Sequence, residues 1–212
     1  MIPSPTRRRF LASLAVLPLT PLAAADARLF TPSQMEGPFY PVDLPLDDDN
    51  DLTRVTGQAR RAQGIITDLA GRVLDLNGQP IRQARVEIWQ CDARGFYHHP
   101  RDRGGQADPG FQGFGQTTTD AQGQYRFRTL RPVSYPGRTP HIHARVLIPG
   151  EAAFTTQIYI AGEPGNARDF LFRQVPVAKR PLLLAQFEPA SQGRQSARFD
   201  FVMASRDGTP RV

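Results

Sequence analysis

Asp120-Ala121-Gln122-Gly123-Gln124-Tyr125-Arg126-Phe127-Arg128 is a turn signal followed at once by strict alternation of polar and aromatic residues. Alternation with period two places every second side chain on one face, as in a half-buried strand. Thr117-Thr118-Thr119 leads into that turn. Upstream, Ala84-Arg85-Val86-Glu87-Ile88-Trp89 alternates in the same way. Ile65 to Leu76 reads as one strand or a pair, closed by the turn Asn77-Gly78-Gln79-Pro80. Further strands fit 141–148, 154–160 and 197–203, and 166–175 fits a short helix. Twenty prolines and eighteen glycines, spread among these brief runs, argue against a helical protein. The expected class is an all-β sandwich with long loops and little helix.

The N-terminus stands outside that pattern. Arg7-Arg8-Arg9-Phe10-Leu11 opens an apolar stretch to Leu22, broken by Pro18 and Pro21 and followed by Ala23-Ala24-Ala25. A basic region, a short apolar region and small residues are the parts of an export signal, and two arginines before x-Phe-Leu resemble the twin-arginine type. The expected organisation is a twin-arginine signal peptide over 1–25, an irregular segment over 26–63 that packs on the domain, and the sandwich over 64–212. Export in the folded state predicts a periplasmic or secreted protein with no membrane anchor after processing.

The full chain carries 26 Lys and Arg against 20 Asp and Glu, a net +6. Residues 1–25 hold three arginines and no acids, which leaves 23 basic against 20 acidic side chains, or +3, for the remainder. That weak, mixed charge predicts no nucleic-acid partner. Cys91 is the single cysteine, which excludes an intrachain disulfide. It falls in an apolar strand pattern and reads as a buried, inert thiol. Asp43, Asp47, Asp48, Asp49 and Asp51 form an acidic run whose spacing is not that of an EF-hand, so it reads as a solvated loop.

His141-Ile142-His143 carries the chemistry. Residues two apart on a strand share a face, so two imidazoles would point together, which suits a metal. The bland alternative is two polar residues on a solvated strand face. Two long loops flank this strand in sequence. One carries Gly95-Phe96-Tyr97-His98-His99, the other Pro132-Val133-Ser134-Tyr135-Pro136-Gly137-Arg138.

These segments resemble the intradiol ring-cleavage dioxygenases, nearest to the β-subunit type of protocatechuate 3,4-dioxygenase. The likeness runs through Val86 to Tyr97, Thr119 to Tyr135, Arg138-Thr139-Pro140-His141-Ile142-His143, the Glu36-Gly37-Pro38-Phe39-Tyr40-Pro41 loop and Thr156-Gln157-Ile158-Tyr159. It covers roughly 31–165. It implies a prealbumin-like sandwich and one non-haem Fe(III) held by Tyr97, Tyr135, His141 and His143. It also implies Arg138 as an active-site cation and Gln157 beside the ligands. The implied reaction inserts O2 between the two hydroxylated carbons of a catechol-type aromatic to give a cis,cis-muconate. Tyr135 is implied to leave the iron and take a substrate proton. A small aromatic diol and O2 are then the partners, with a homo-oligomer or a paired subunit. Phenolate is a hard anionic ligand suited to Fe(III), and a free Tyr, with a pKa of about 10, needs the metal to ionise it.

Tyr125 and Tyr159 lie in alternating strands and are read as structural. His98 and His99 are not counted as ligands. Only Pro136 and Gly137 separate Tyr135 from Arg138, a shorter loop than in the β-subunit type. Two alternatives stand beside the enzyme. Gly71 to Ile81, Ala84-Arg85-Val86 and Asp120 to Phe127 also resemble the carboxypeptidase regulatory-like sandwich, a non-catalytic binding module. A zinc or copper site built from His98, His99, His141 and His143 is the third reading.

Overall fold

Alternating sequence becomes strand in two facing sheets. The computed structural model describes residues 29–45, 47–102 and 105–203, so the signal expected over 1–25 lies outside the described residues. In order come β1 (Ile66–Asp75), β2 (Arg85–Trp89), β3 (Phe114–Thr118), β4 (Gln124–Leu130), β5 (His141–Leu147) and β6 (Phe154–Ile160). The helix α1 (Phe170–Gln174) follows, then β7 (Leu184–Ala185), β8 (Phe187–Pro189), β9 (Gln195–Arg198) and β10 (Phe201–Met203). The fold is the expected all-β sandwich with little helix.

One sheet is built on β1, which pairs antiparallel with β4 and parallel with β9 and β10. The other has the order β3-β2-β5-β6-β7. The core lies between them, where Leu69 and Val73 of β1 and Phe127 of β4 meet Val86, Ile88, Ile142, Ala144, Val146 and Ile158 of the second sheet. Since Ile142 and Ala144 face the core, His141 and His143 must point to the opposite face of β5. That outer face is not solvated: both imidazoles are 1% exposed.

What covers them comes from the N-terminal segment, which contains no strand among its described residues. Thr31 N donates to Val202 O (2.9 Å) and Gln34 N to Thr155 O (2.9 Å). Thr156 Oγ1 donates to Pro32 O (2.7 Å). These bonds strap residues 31–34 from β10 of one sheet to β6 of the other, and the chain continues with Gly37 beside His143. Gly37 has φ of +80°, and a Cβ there would stand 3.3 Å from His143 Cε1. Glycine is the residue that takes this backbone without strain.

The strand expected over 197–203 is two short strands. Asp200 Oδ1 accepts from Arg72 N (2.9 Å), so a side chain replaces the backbone acceptor between β9 and β10. Phe114–Thr118 pairs with β2 as β3, an element the sequence pattern did not announce.

Candidate metal centre

Tyr97 is presented by the loop after β2. The Asp92 carboxylate, 1% exposed, organises that loop. Its Oδ1 accepts from Arg94 N (2.8 Å) and Phe96 N (3.0 Å), and its Oδ2 from Asp108 N (2.8 Å). Tyr97 N donates to Asp102 Oδ2 (2.7 Å). The Tyr97 ring is buried with Trp89, Cys91 and Phe114, and Phe39 stacks on it at 4.4 Å. A cavity of about 510 Å3 lies beside this cluster, lined by Phe39, Trp89, Tyr97, Phe111 and Phe114 among others.

Tyr135 and Arg138 occupy the two ends of one turn. Arg138 N donates to Tyr135 O (2.9 Å), with Pro136 and Gly137 between them and φ of +84° at Gly137. Proline then a positive-φ glycine is the signature of a type II turn. The short loop noted in the sequence therefore sets the arginine directly against the tyrosine. Arg138 Nη1 donates to Tyr135 Oη (3.5 Å) and Nη2 to Tyr159 Oη (3.3 Å) and Gln157 Oε1.

His141 and His143 meet on β5. Their Nε2 atoms are 3.1 Å apart. Thr139 O can only accept, so the 2.6 Å contact to His141 Nδ1 requires the proton on Nδ1. That leaves a lone pair on His141 Nε2, the tautomer a metal needs. Cross-strand register puts Gln157 opposite His143 and Tyr159 opposite His141 on β6. Trp89 on β2 stacks on His143 at 4.9 Å and 10°. The Tyr97 ring stands 6.2 Å from His143 and 5.5 Å from Tyr135, and Tyr135 is 5.5 Å from His141.

Without a cation the group is electrostatically awkward. Burial, then the Arg138 charge, pushes His141 down to about 3. Burial, then His141 and Arg138, holds His143 well below its ordinary value. Burial, then the neighbouring Tyr135 and Cys91, pushes the Tyr97 phenol well above its ordinary value. Burial raises Tyr135 too, although Arg138 opposes it. Tyr97 Oη and His143 Nδ1 are buried with no hydrogen-bond partner among the described residues. A buried phenol with no partner costs free energy that a bound ion would recover. Two nitrogens 3.1 Å apart can share one ion, since metal–imidazole bonds are roughly 2.0–2.1 Å. Hard phenol oxygens and imidazoles suit iron, so the residues present fit a ferric ion.

All six residues singled out in the sequence come together: Tyr97, Tyr135, Arg138, His141, His143 and Gln157. His98 and His99 do not join them. His98 Nε2 contacts Asp108 O (2.9 Å), and His99 Nδ1 accepts from Arg101 N (3.1 Å). Among the described residues no three His, Cys, Asp or Glu side chains gather as a metal site, so the four-histidine zinc or copper reading has no support. Tyr159 was expected to be structural, yet its hydroxyl meets Arg138 and donates to Gln157 Oε1 (3.0 Å). Trp89, Phe39 and Asp169 were missed. The aromatic Glu36-to-Pro41 loop hinted at Phe39; an Asp before Phe170-Leu171-Phe172 hinted at a helix cap but not at the arginine it holds.

A family model described as dioxygenase matches residues 35–205. The chain is 37% identical over 176 residues to the protocatechuate 3,4-dioxygenase beta chain of Burkholderia cepacia, covering 76% of this chain and 74% of that one. It is 34% identical over 164 residues to a catechol 1,2-dioxygenase of Candida albicans, covering 67% of this chain and 51% of the relative, so it spans about half that protein's length. Among solved structures it resembles the dioxygenase domain of a dioxygenase carbohydrate-binding protein fusion from Streptomyces sp. SirexAA-E. The TM-score is 0.66 at 33% identity, over 82% of this chain and 98% of that one.

Proposed function

The chain belongs to the intradiol ring-cleavage dioxygenase family, enzymes that open catechol-type aromatics with O2, and from that premise we propose that Tyr97, Tyr135, His141 and His143 hold one Fe(III). These relatives do not favour the non-catalytic binding module. The observation that carries the reading is the pair of Nε2 atoms 3.1 Å apart, with the Tyr97 ring, its hydroxyl buried without a hydrogen-bond partner among the described residues, 6.2 Å from His143 and the Tyr135 ring 5.5 Å from His141. When bound, the ion supplies a Lewis acid that ionises the phenols and a diol bound beside them.

The two tyrosines divide the work by burial. Tyr97 is 5% exposed and pinned under Phe39, so it stays in place. Tyr135 is only half-buried and lies at the open end of a turn. Held as a phenolate by the ion, it would be the side chain free to take a proton from an incoming diol at its Oη and become a neutral phenol. Arg138, whose Nη1 faces Tyr135 Oη, would stabilise the negative charge that develops on a diol ring bound beside it. Gln157 and Tyr159 hold the other side of that guanidinium. Phe39 and Trp89 wall the site with apolar surface, which strengthens each of these interactions by excluding water.

The protein as purified should be red-brown from phenolate-to-iron charge transfer. Tyr97→Phe should lose colour and activity together, and His143→Ala should lose iron. A Tyr97→Phe protein that keeps both would defeat the ligand assignment. Oxygen uptake with catechol, protocatechuate and hydroxyquinol separates the substrate classes. The proposal extends to a periplasmic or secreted location and to assembly with a second copy or a paired subunit. Cell fractionation and sedimentation test these independently of the iron.

A further inference from the structure

Asp169 is the cap residue of α1, and a cap uses one oxygen. Its Oδ1 accepts from Phe172 N at 2.9 Å, which satisfies the helix. Its Oδ2 does something a five-residue helix does not need. It accepts from Arg138 Nε (2.8 Å) and from Thr139 N (3.0 Å). The Arg138 and Asp169 side chains are 8% and 0% exposed, so this is a buried ion pair. Such pairs pay a desolvation cost that stability alone rarely justifies.

The geometry shows what the pair achieves. Asp169 grips the Nε edge of the guanidinium, while Gln157 Oε1 and Tyr159 Oη take Nη2. Nη1 is left facing Tyr135 Oη. Through Thr139 N the same carboxylate fixes the Arg138–Thr139 peptide, and Thr139 O orients His141. The plane and direction of Arg138 are thus set by a residue that lies behind it.

Resting on the ferric reading above, we propose that Asp169 is a positioning residue for ring cleavage: its Oδ2 aims the Arg138 guanidinium at the Tyr135 phenol and the bound diol, and does not touch substrate itself. Asp169→Asn separates this role from capping. Its Oδ1 can still cap Phe172 N, but its NH2 group meets the Arg138 and Thr139 donors and releases them.

In iron-loaded protein, Asp169→Asn should retain iron and charge-transfer colour yet lose about 10–100-fold in kcat/KM. A chromophoric nitrocatechol added without oxygen should bind more weakly by a similar factor and need a higher pH to bind as the dianion. In an Arg138→Ala background the Asp169→Asn change should add less than about twofold, because both act through one guanidinium. Asp169→Glu restores the charge and should recover part of both losses; it also serves if the Asn protein does not fold. Nitrocatechol affinity unchanged in Asp169→Asn, an undiminished effect without Arg138, or Glu no better than Asn would each overturn the assignment. A wild-type protein that binds no iron would instead remove the reading beneath it.

Discussion

Single residues divide sharply by how they could be read. His141 and His143 were legible because the pleat alone forces them to one face. Tyr97 and Tyr135 reach the same point from separate loops, so only a family resemblance joined them in sequence. Asp169 was illegible, since its contact with Arg138 crosses 31 positions and no local rule couples them. Cys91 was legible, and burial pushes its thiol up to about 12. An alkylating reagent at neutral pH should leave Cys91 unmodified in the native protein and label it fully in denaturant; mass spectrometry reads both. Gly37 makes the complementary case. Alanine there must adopt φ of +80° beside His143 Cε1. Left-handed backbone costs roughly 1–2 kcal/mol for a non-glycine residue, so Gly37→Ala should lower the melting temperature by about 2–8 °C and shift the charge-transfer band.

Elements were legible where their own residues alternate, and less so where a distant segment completes them. β2, β4 and β5 declare themselves by period two, and β6 by its apolar run Ile158-Tyr159-Ile160. β3 does not, because Gly115 and Gln116 carry no apolar alternation and the strand is fixed by its pairing with β2 and by Gln116 N donating to Asp48 O (2.7 Å). The strap over residues 31–34 is irregular in sequence and is held by bonds to β10 and β6. Its bond from Thr156 Oγ1 to Pro32 O is a direct handle on that order. Thr156→Val keeps shape and strands a carbonyl, which costs roughly 1–3 kcal/mol. Differential scanning calorimetry should show the loss, and hydrogen exchange should show faster opening at Gln34. The cap of α1 adds a pH dependence. Burial pushes the Asp169 carboxyl up, but hydrogen bonds from Phe172 N, Arg138 and Thr139 N outweigh it and hold it below its ordinary value. A depressed folded value means the unfolded chain binds the proton first. The contribution is therefore whole above the unfolded carboxylate value of about 3.9 and fades as pH falls through the folded one. Metal-free wild type should lose melting temperature below about pH 4 more steeply than metal-free Asp169→Asn.

At the scale of the whole molecule, the sandwich and its centre are built on opposite faces of one sheet. The inner face of β5 buries Ile142, Ala144 and Val146 in the core, and the outer face carries the imidazoles. Core packing therefore holds the strand that presents the proposed ligands, and on that reading a bound ion should in turn support the fold. Apo protein keeps two buried neutral imidazoles, a Tyr97 hydroxyl without a partner, and a buried arginine facing them. An ion that binds only the folded state stabilises it by mass action, about 4 kcal/mol when present at a thousand times its dissociation constant. Stripping the iron with a strong ferric chelator should bleach the protein and lower its melting temperature by about 8–16 °C, and adding ferric iron back should reverse both. In His143→Ala the gap between treated and untreated protein should nearly vanish, because the set of donors is broken. Equal melting temperatures for loaded and stripped wild type, with colour clearly gained on loading, would mean that the sheet holds this outer face without help from the metal.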